Sequence, residues 1–279
     1  MRVVVRCLLV VLLVAIALAD TALGPIGVAT SSDDREPITE ADLISLRQPA
    51  GSPVRAAAYV VIDEQSGSVL FARQEHARLP VASTTKIMTA LVVLEKAKLD
   101  DVVVVQVDSA KLGDSSVMGL VPGERLSVRN LLIGLLLPSG ADAAIALAQH
   151  VAGSEAAFVD LMNRRARELG LADTSFANVH GLDAPNHYSS AADLATIARV
   201  ALRYPTFGEI VATRTATIRG AKLVYQPRNT NPLLGRPGVE GVKTGQTEAA
   251  GPCLVAAIRR DGHRVIVVVL NSPDRADDA

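Results

Sequence analysis

The stretch CLVAAIRRDGHRVIVVVL occupies residues 253–270. Cys253 to Arg259 and Arg264 to Leu270 are apolar runs rich in β-branched residues, and Arg260-Asp261-Gly262 between them is a tight-turn signal. The stretch therefore predicts an antiparallel hairpin. Just upstream, Gly241 to Gly245 reads as a third strand. Near the other end of the chain, Ala57 to Asp63 and Ser68 to Arg73 form a second hairpin through Gln65-Ser66-Gly67. The region between is helical in pattern. Thr84 to Lys96 carries Ile87, Ala90, Leu91 and Leu94 at the 3-4-3 spacing of one helix face. Arg129 to Leu137 is apolar nearly all round, so that helix should be buried. Asp142 to Val151, Glu155 to Leu169 (ended by Gly170) and Ala191 to Tyr204 follow, and Val102 to Val107 is a short extended run. Two strands, a block of helices and then three strands is an α+β plan, not alternating βαβ. The ends of the chain are expected to meet in one antiparallel five-stranded sheet, flanked by helices with a helical subregion beside it.

The 279 residues carry a net charge of -1, which argues against a nucleic-acid binder with its basic stripe. Arg2 and Arg6, the apolar run Cys7 to Leu18, and Ala17-Leu18-Ala19 have the form of a secretory signal over residues 1–19. The run is too short to cross a bilayer, which takes roughly 20 residues. An uncleaved anchor starting at Val3, the alternative that would leave N-terminal membrane association, is interrupted by Arg6. Residues 20–54, with Ser31-Ser32-Asp33-Asp34 and four prolines, read as a linker with at most a short helix between Glu40 and Arg47. Residues 55–279 then form one domain. Once Cys7 leaves with the signal, Cys253 is the only thiol, and it reads as a small buried hydrophobe.

There is no G-x-S-x-G, H-E-x-x-H, G-x-G-x-x-G or Walker lysine motif. His180, Asp183 and His187 sit among Gly181, Pro185 and Asn186, more like a polar loop than a metal site, so no metal and no cofactor are expected. The lysines are more informative. The basic residues divide into 22 Arg and 6 Lys, which makes motifs that need lysine hard to meet by accident. Ser83-Thr84-Thr85-Lys86 is the only S-x-x-K in the chain. About 0.4 such matches are expected by chance, and a serine N-cap followed by a solvated lysine is its plain alternative. Its position at the start of an amphipathic helix puts Lys86 one turn beyond Ser83 on the same face. There an amine with a lowered pKa could take the hydroxyl proton. Lys243-Thr244-Gly245, expected only about 0.02 times by chance, lies in a predicted strand. Its glycine admits a substrate backbone, and its lysine and threonine suit a carboxylate.

These motifs resemble the penicillin-recognising serine transferases, and the surrounding text resembles the D-alanyl-D-alanine carboxypeptidases of peptidase family S11. The stretches that carry the likeness are residues 80–90, Leu135 to Gly140, His180 to Asp183, Asn229 to Gly235 and Gly238 to Gly245. The resemblance implies a β-lactamase/transpeptidase-like fold. It makes Ser83 the acylated nucleophile, Lys86 its base, and Ser139 a proton relay to the leaving group. Lys243, with Thr244 and Gly245, would bind the substrate carboxylate. The backbone N–H groups of Ser83 and Gln246 would form the oxyanion hole. The implied reaction is removal of the terminal D-alanine from peptidoglycan stem pentapeptides by an exported, extracytoplasmic enzyme, with β-lactam antibiotics as covalent inhibitors.

Two departures stand out. The third position of the family's S-x-N element is Ala141, and the chain ends nine residues after Leu270, where the family continues into a helix packed on the sheet. A weakened sheet face and no C-terminal membrane attachment are expected. Competing readings are a β-lactamase, for which no E-x-x-L-N deacylating element exists between Ala157 and Lys243, a DD-endopeptidase using the same residues, and a non-catalytic muropeptide-binding protein made possible by Ala141.

Overall fold

A computed structural model describes residues 54–279, so the expected signal, the helix at 40–47 and nearly all of the linker lie outside the described residues. Strands β1 (Ala58–Asp63), β2 (Val69–Arg73), β7 (Val239–Thr247), β8 (Gly251–Arg260) and β9 (His263–Leu270) form one antiparallel sheet in the order β2-β1-β9-β8-β7. The Asp261-Gly262 loop between β8 and β9 has positive φ at both residues, 49° and 83°, as a type I′ hairpin requires. β1 pairs with β9 from Ala58↔Leu270 to Asp63↔Val265, so the two ends of the domain meet at the middle of the sheet, as the sequence predicts.

Period-two alternation divides the sheet into two apolar faces. Val60, Ile62, Val255, Ala257, Ile266 and Val268 point to the helices, where α5 (Ala191–Ala201) packs against β1, β8 and β9 and α1 (Lys86–Lys96) packs on α5 within the same core. Leu254, Ala256, Val267 and Val269 point the other way, against Ala56 and Leu233. Ala276 and Ala279 also pack on that second face, and Tyr59, Val61, Ile258 and Val265 on it are only partly buried. Residues 272–279 are held in turns, with Ser272 Oγ donating to Asp278 Oδ2 (2.6 Å) and the Arg55 N–H donating to Asp278 Oδ1 (3.2 Å).

The remaining helices are α2 (Val128–Leu136), α3 (Ala141–Ala152), α4 (Glu155–Glu168) and α6 (Pro205–Ala212). Ser127, Ser154 and Ser190 cap α2, α4 and α5 through bonds to the amides of Asn130, Ala157 and Asp193. The helix expected to reach Tyr204 stops at Ala201. Pro205 cannot continue it but suits the first turn of a new one, and α6 begins there. Two small ribbons complete the fold: β3 (Val102–Val104), inside the expected extended run Val102 to Val107, pairs with β4 (Arg125–Ser127), and β5 (Ile218–Arg219) pairs with β6 (Val224–Tyr225); β4, β5 and β6 are absent from the sequence reading. Their strands are too short to show alternation. Among the described residues no helix is long and apolar enough to cross a membrane.

Candidate active site

Ser83 lies in a 3-10 turn, Ala82–Thr85, that leads directly into α1, so the α-helix starts at Lys86 and not at the expected Thr84. Thr84 Oγ1 donates to the Val81 carbonyl at 2.7 Å and fixes the turn. Ala82 within it sits at φ 47°, a conformation that costs a residue with a Cβ of order 1 kcal/mol and persists only when its surroundings enforce it. Lys86 is 2% exposed, and its Nζ donates to Ser83 Oγ at 2.8 Å and to the His180 carbonyl at 2.6 Å. Burial, then the positive charge of Lys243, holds the Lys86 amine well below its usual pKa, with Asp142 opposing. A neutral amine in contact with a serine hydroxyl is able to accept its proton.

The His180 carbonyl is aimed by a side chain that the sequence reading did not select. Asn178 Oδ1 accepts from the amides of His180 (3.2 Å) and Gly181 (2.7 Å), while its Nδ2 donates to the Leu182 carbonyl (2.8 Å). Gly181, at φ 89°, lies so close to the serine turn that a Cβ there would overlap the Ala82 carbonyl. Asn178→Ala is expected to slow acylation of Ser83 about tenfold, equivalent to 1.4 kcal/mol. The acid limb of its pH profile should also move, and Asn178→Asp should restore part of the rate. Stopped-flow acylation across pH measures both, and an unshifted limb would leave Asn178 with a purely structural part.

β7 closes the other side. Lys243 is 1% exposed, although it lies on the edge strand of the sheet. Its Nζ donates to the Thr244 carbonyl (2.9 Å), and burial, then Arg275, lowers its pKa to about 7. A Cβ on Gly245 would stand 2.9 Å from the Val81 carbonyl and 3.0 Å from the Ser83 amide nitrogen, so only glycine lets the strand approach the serine turn this closely. Thr244 Oγ1 is 2.6 Å from Thr230 Oγ1. Arg275, which follows the last strand and carries no motif, donates to the Gly245 carbonyl at 2.8 Å and adds a second cation at this end. Gln246 is exposed on the same strand.

Ser139 sits at φ 68° just before α3, is 5% exposed, and its Oγ has no hydrogen-bond partner. The structure thus joins Ser83 to Lys86 but does not bond Ser139 to either lysine. Ala141 is buried and supplies no side-chain amide. Next to it, Asp142 is fully buried and gathers the preceding loop. Its Oδ1 accepts from the amides of Met118 and Ala143 (both 2.8 Å), and its Oδ2 accepts from those of Gly119 and Leu120 (both 2.9 Å) and from Ser109 Oγ (2.6 Å). Asp142 could pass in sequence for an ordinary acidic residue in a first helical turn.

The histidines have other uses. His187 Nδ1 accepts from the Ala177 amide (3.0 Å) and Nε2 meets Thr85 Oγ1 (2.8 Å), so both ring nitrogens are engaged. Burial lowers the pKa of His180 and of His187 to about 4. Asp183 accepts from Thr247 Oγ1 (2.7 Å) and ties the Asn178–Asp183 loop to β7.

A serine hydroxyl and a buried amine one turn apart, faced by a cationic strand whose glycine touches the serine's turn, have the geometry of the class of serine acyl-transfer sites. The D-alanyl-D-alanine carboxypeptidase family model, peptidase S11, matches residues 45–274, and the chain belongs to that family. It is 40% identical over 220 residues to the D-alanyl-D-alanine carboxypeptidase DacF of Bacillus subtilis, covering 76% of this chain and 56% of that protein. It is also 40% identical over 229 residues to DacC of Escherichia coli, covering 78% of this chain and 57% of the relative. The chain thus spans just over half the length of these curated relatives. The fold matches the crystal structure of the Streptomyces K15 DD-transpeptidase with a TM-score of 0.78 and 34% identity, covering 82% of this chain and 96% of that one. The expected β-lactamase/transpeptidase-like architecture is therefore the observed one.

Proposed function

We propose that the protein is a serine-type D-alanyl-D-alanine carboxypeptidase. Ser83 attacks the carbonyl of the penultimate D-alanine of a stem pentapeptide, Lys86 takes the hydroxyl proton, and D-alanine leaves as the acyl-enzyme forms. Water then hydrolyses the ester. Lys243 and Arg275 hold the terminal carboxylate, with the Thr244 hydroxyl beside them, and the amides of Ser83 and Gln246 face the developing oxyanion. Ser139 passes a proton to the departing amine. The observation that carries this reading is the 2.8 Å contact between Ser83 Oγ and a buried Lys86 amine beside Gly245. Activity survives Ala141 because Lys86 keeps two partners, the serine and the His180 carbonyl. The substrate places the working enzyme outside the cytoplasm, consistent with the signal-like first 19 residues.

A fluorescent penicillin is expected to label the protein at Ser83, detected as an ester-linked mass addition on the peptide bearing that residue. Wild type should release D-alanine from a pentapeptide, and Ser83→Ala should do neither. Labelling without steady D-alanine release would favour a non-catalytic muropeptide binder, the reading that the partnerless Ser139 hydroxyl supports. Release from crosslinked dimers in preference to pentapeptide would make the protein an endopeptidase.

A further inference from the structure

The β5–β6 ribbon takes no part in the acyl-transfer site, yet its outward face is organised. Its pairings, Thr215↔Arg228, Ile218↔Tyr225 and Arg219↔Val224, place alternate residues on opposite sides. Ile218 and Tyr225 turn inward and are buried. Thr215, Thr217, Arg219, Val224, Gln226 and Arg228 turn outward and are exposed. A cleft of about 270 Å³ lies on the ribbon, lined by Thr215, Ala216, Thr217, Gln226 and Arg228. The ribbon is held in place from beneath. The buried Glu124 carboxylate accepts from the amides of Lys222 (3.0 Å) and Leu223 (3.0 Å) and from the Tyr225 hydroxyl (2.9 Å).

Its charge is one-sided. Between Glu209 and Glu240 the chain holds Arg214, Arg219, Lys222, Arg228 and Arg236 and no acidic residue, although the whole chain has a net charge of -1. All five are exposed, and none forms an ion pair among the described residues. The flanking acids are already committed, Glu209 to Arg129 (2.9 Å) and Glu240 to Arg259 (2.8 Å) and Arg264 (2.7 Å). The patch is also continuous with the site. Thr230, two residues beyond Arg228, reaches Thr244 of the lysine-threonine-glycine strand.

We propose that the outward face of this ribbon is a binding site for the carboxylate-bearing glycan–peptide polymer whose stem peptides enter the acyl-transfer site. Guanidinium groups pair with carboxylates, and the threonine hydroxyls and the Gln226 amide suit sugar hydroxyls and acetamides. The inference rests on the proposed carboxypeptidase reading and assigns it a second point of attachment. Two linked contacts on one polymer raise the effective concentration of stem peptide at Ser83 without altering the chemistry there.

The test uses the full-length protein and an Arg219→Glu/Arg228→Glu variant, with thermal melts to confirm that both are folded. Wild type should co-sediment with purified insoluble peptidoglycan stripped of phosphate polymers, and this should weaken as salt rises from 50 to 300 mM. The variant should bind at least fivefold less and release D-alanine from the insoluble polymer at least fivefold more slowly. Its kcat/KM on a soluble pentapeptide should stay within twofold of wild type. Equal sedimentation of the two proteins overturns the proposal. Binding that appears only on walls still carrying phosphate polymers also overturns it, in favour of a phosphodiester ligand. If neither protein turns over any peptide, the carboxypeptidase reading fails, while sedimentation still decides the fate of the ribbon.

Discussion

Lys86→Ala is expected to reduce penicillin acylation and D-alanine release by about 10²- to 10⁴-fold, the range usual for removing a positioned general base. The effect should fall on kcat and kcat/KM together, because the amine touches the nucleophile and not the far end of the substrate. Folding should be preserved or improved, since the mutation removes an amine that burial disfavours in its charged form. The pH profile supplies the sharper check. On the proposed function Lys86 would act as a base only when neutral, so activity is expected to rise as pH climbs through its depressed pKa. Lys243 would hold a carboxylate only when charged, and burial, which lowers its pKa to about 7, makes that charge disappear as pH rises further. The kcat/KM profile of the free enzyme is therefore expected to be bell-shaped with a falling limb near pH 7. In the kcat profile that limb should move upward, because a bound carboxylate stabilises the charged amine. A falling limb that survives in Lys243→Met would show that another group controls it.

Asp142→Ala is expected to be the most damaging single change to stability among the site residues. Four backbone amides and the Ser109 hydroxyl converge on this carboxylate inside the protein. Each donor left unsatisfied costs about 1–3 kcal/mol, and water entering the gap recovers part of that. A net loss of about 4 kcal/mol is reasonable, which lowers Tm by roughly 8–16 °C for a domain of this size. Calorimetry of the purified variant measures it, and a loss below about 1 kcal/mol would mean that the loop from Ser109 to Leu120 is held by other contacts. The same change should alter chemistry in a defined direction. Asp142 favours the charged form of Lys86, so its removal lowers the Lys86 pKa further and shifts the acid limb to lower pH.

The sheet and the serine–lysine pair were legible because each rests on a short-range pattern. The β-branched runs around Asp261-Gly262 specify a hairpin, and a three-residue interval on a helical turn brings Ser83 and Lys86 together whatever the remaining topology. Lys243 was found as a motif, but its burial was not, because it depends on how β7 meets the serine turn. Asn178 and Asp142 act through backbone amides, and no side-chain pattern announces which amides a carboxamide or carboxylate will reach. Arg275 lies after the last recognisable strand and reaches the Gly245 carbonyl only through a tertiary fold-back. The β5–β6 ribbon escaped for a simpler reason: its strands are two residues each, too short to show alternation.

The pairing of Ala58 with Leu270 has a kinetic consequence. The central strand pair of the sheet joins segments about two hundred residues apart, and the acyl-transfer site draws on both sides of that closure. Contacts of such long range are formed at a high entropic cost and slow the folding of the chains that depend on them. Helices α1 to α5 can form early from local sequence, yet Ser83 gains its facing strand only when β7 has docked. On the proposed function, covalent trapping by penicillin would serve as a clock for the final stage of assembly. In a refolding chain, reactive serine should lag behind helical signal by the time the sheet takes to close.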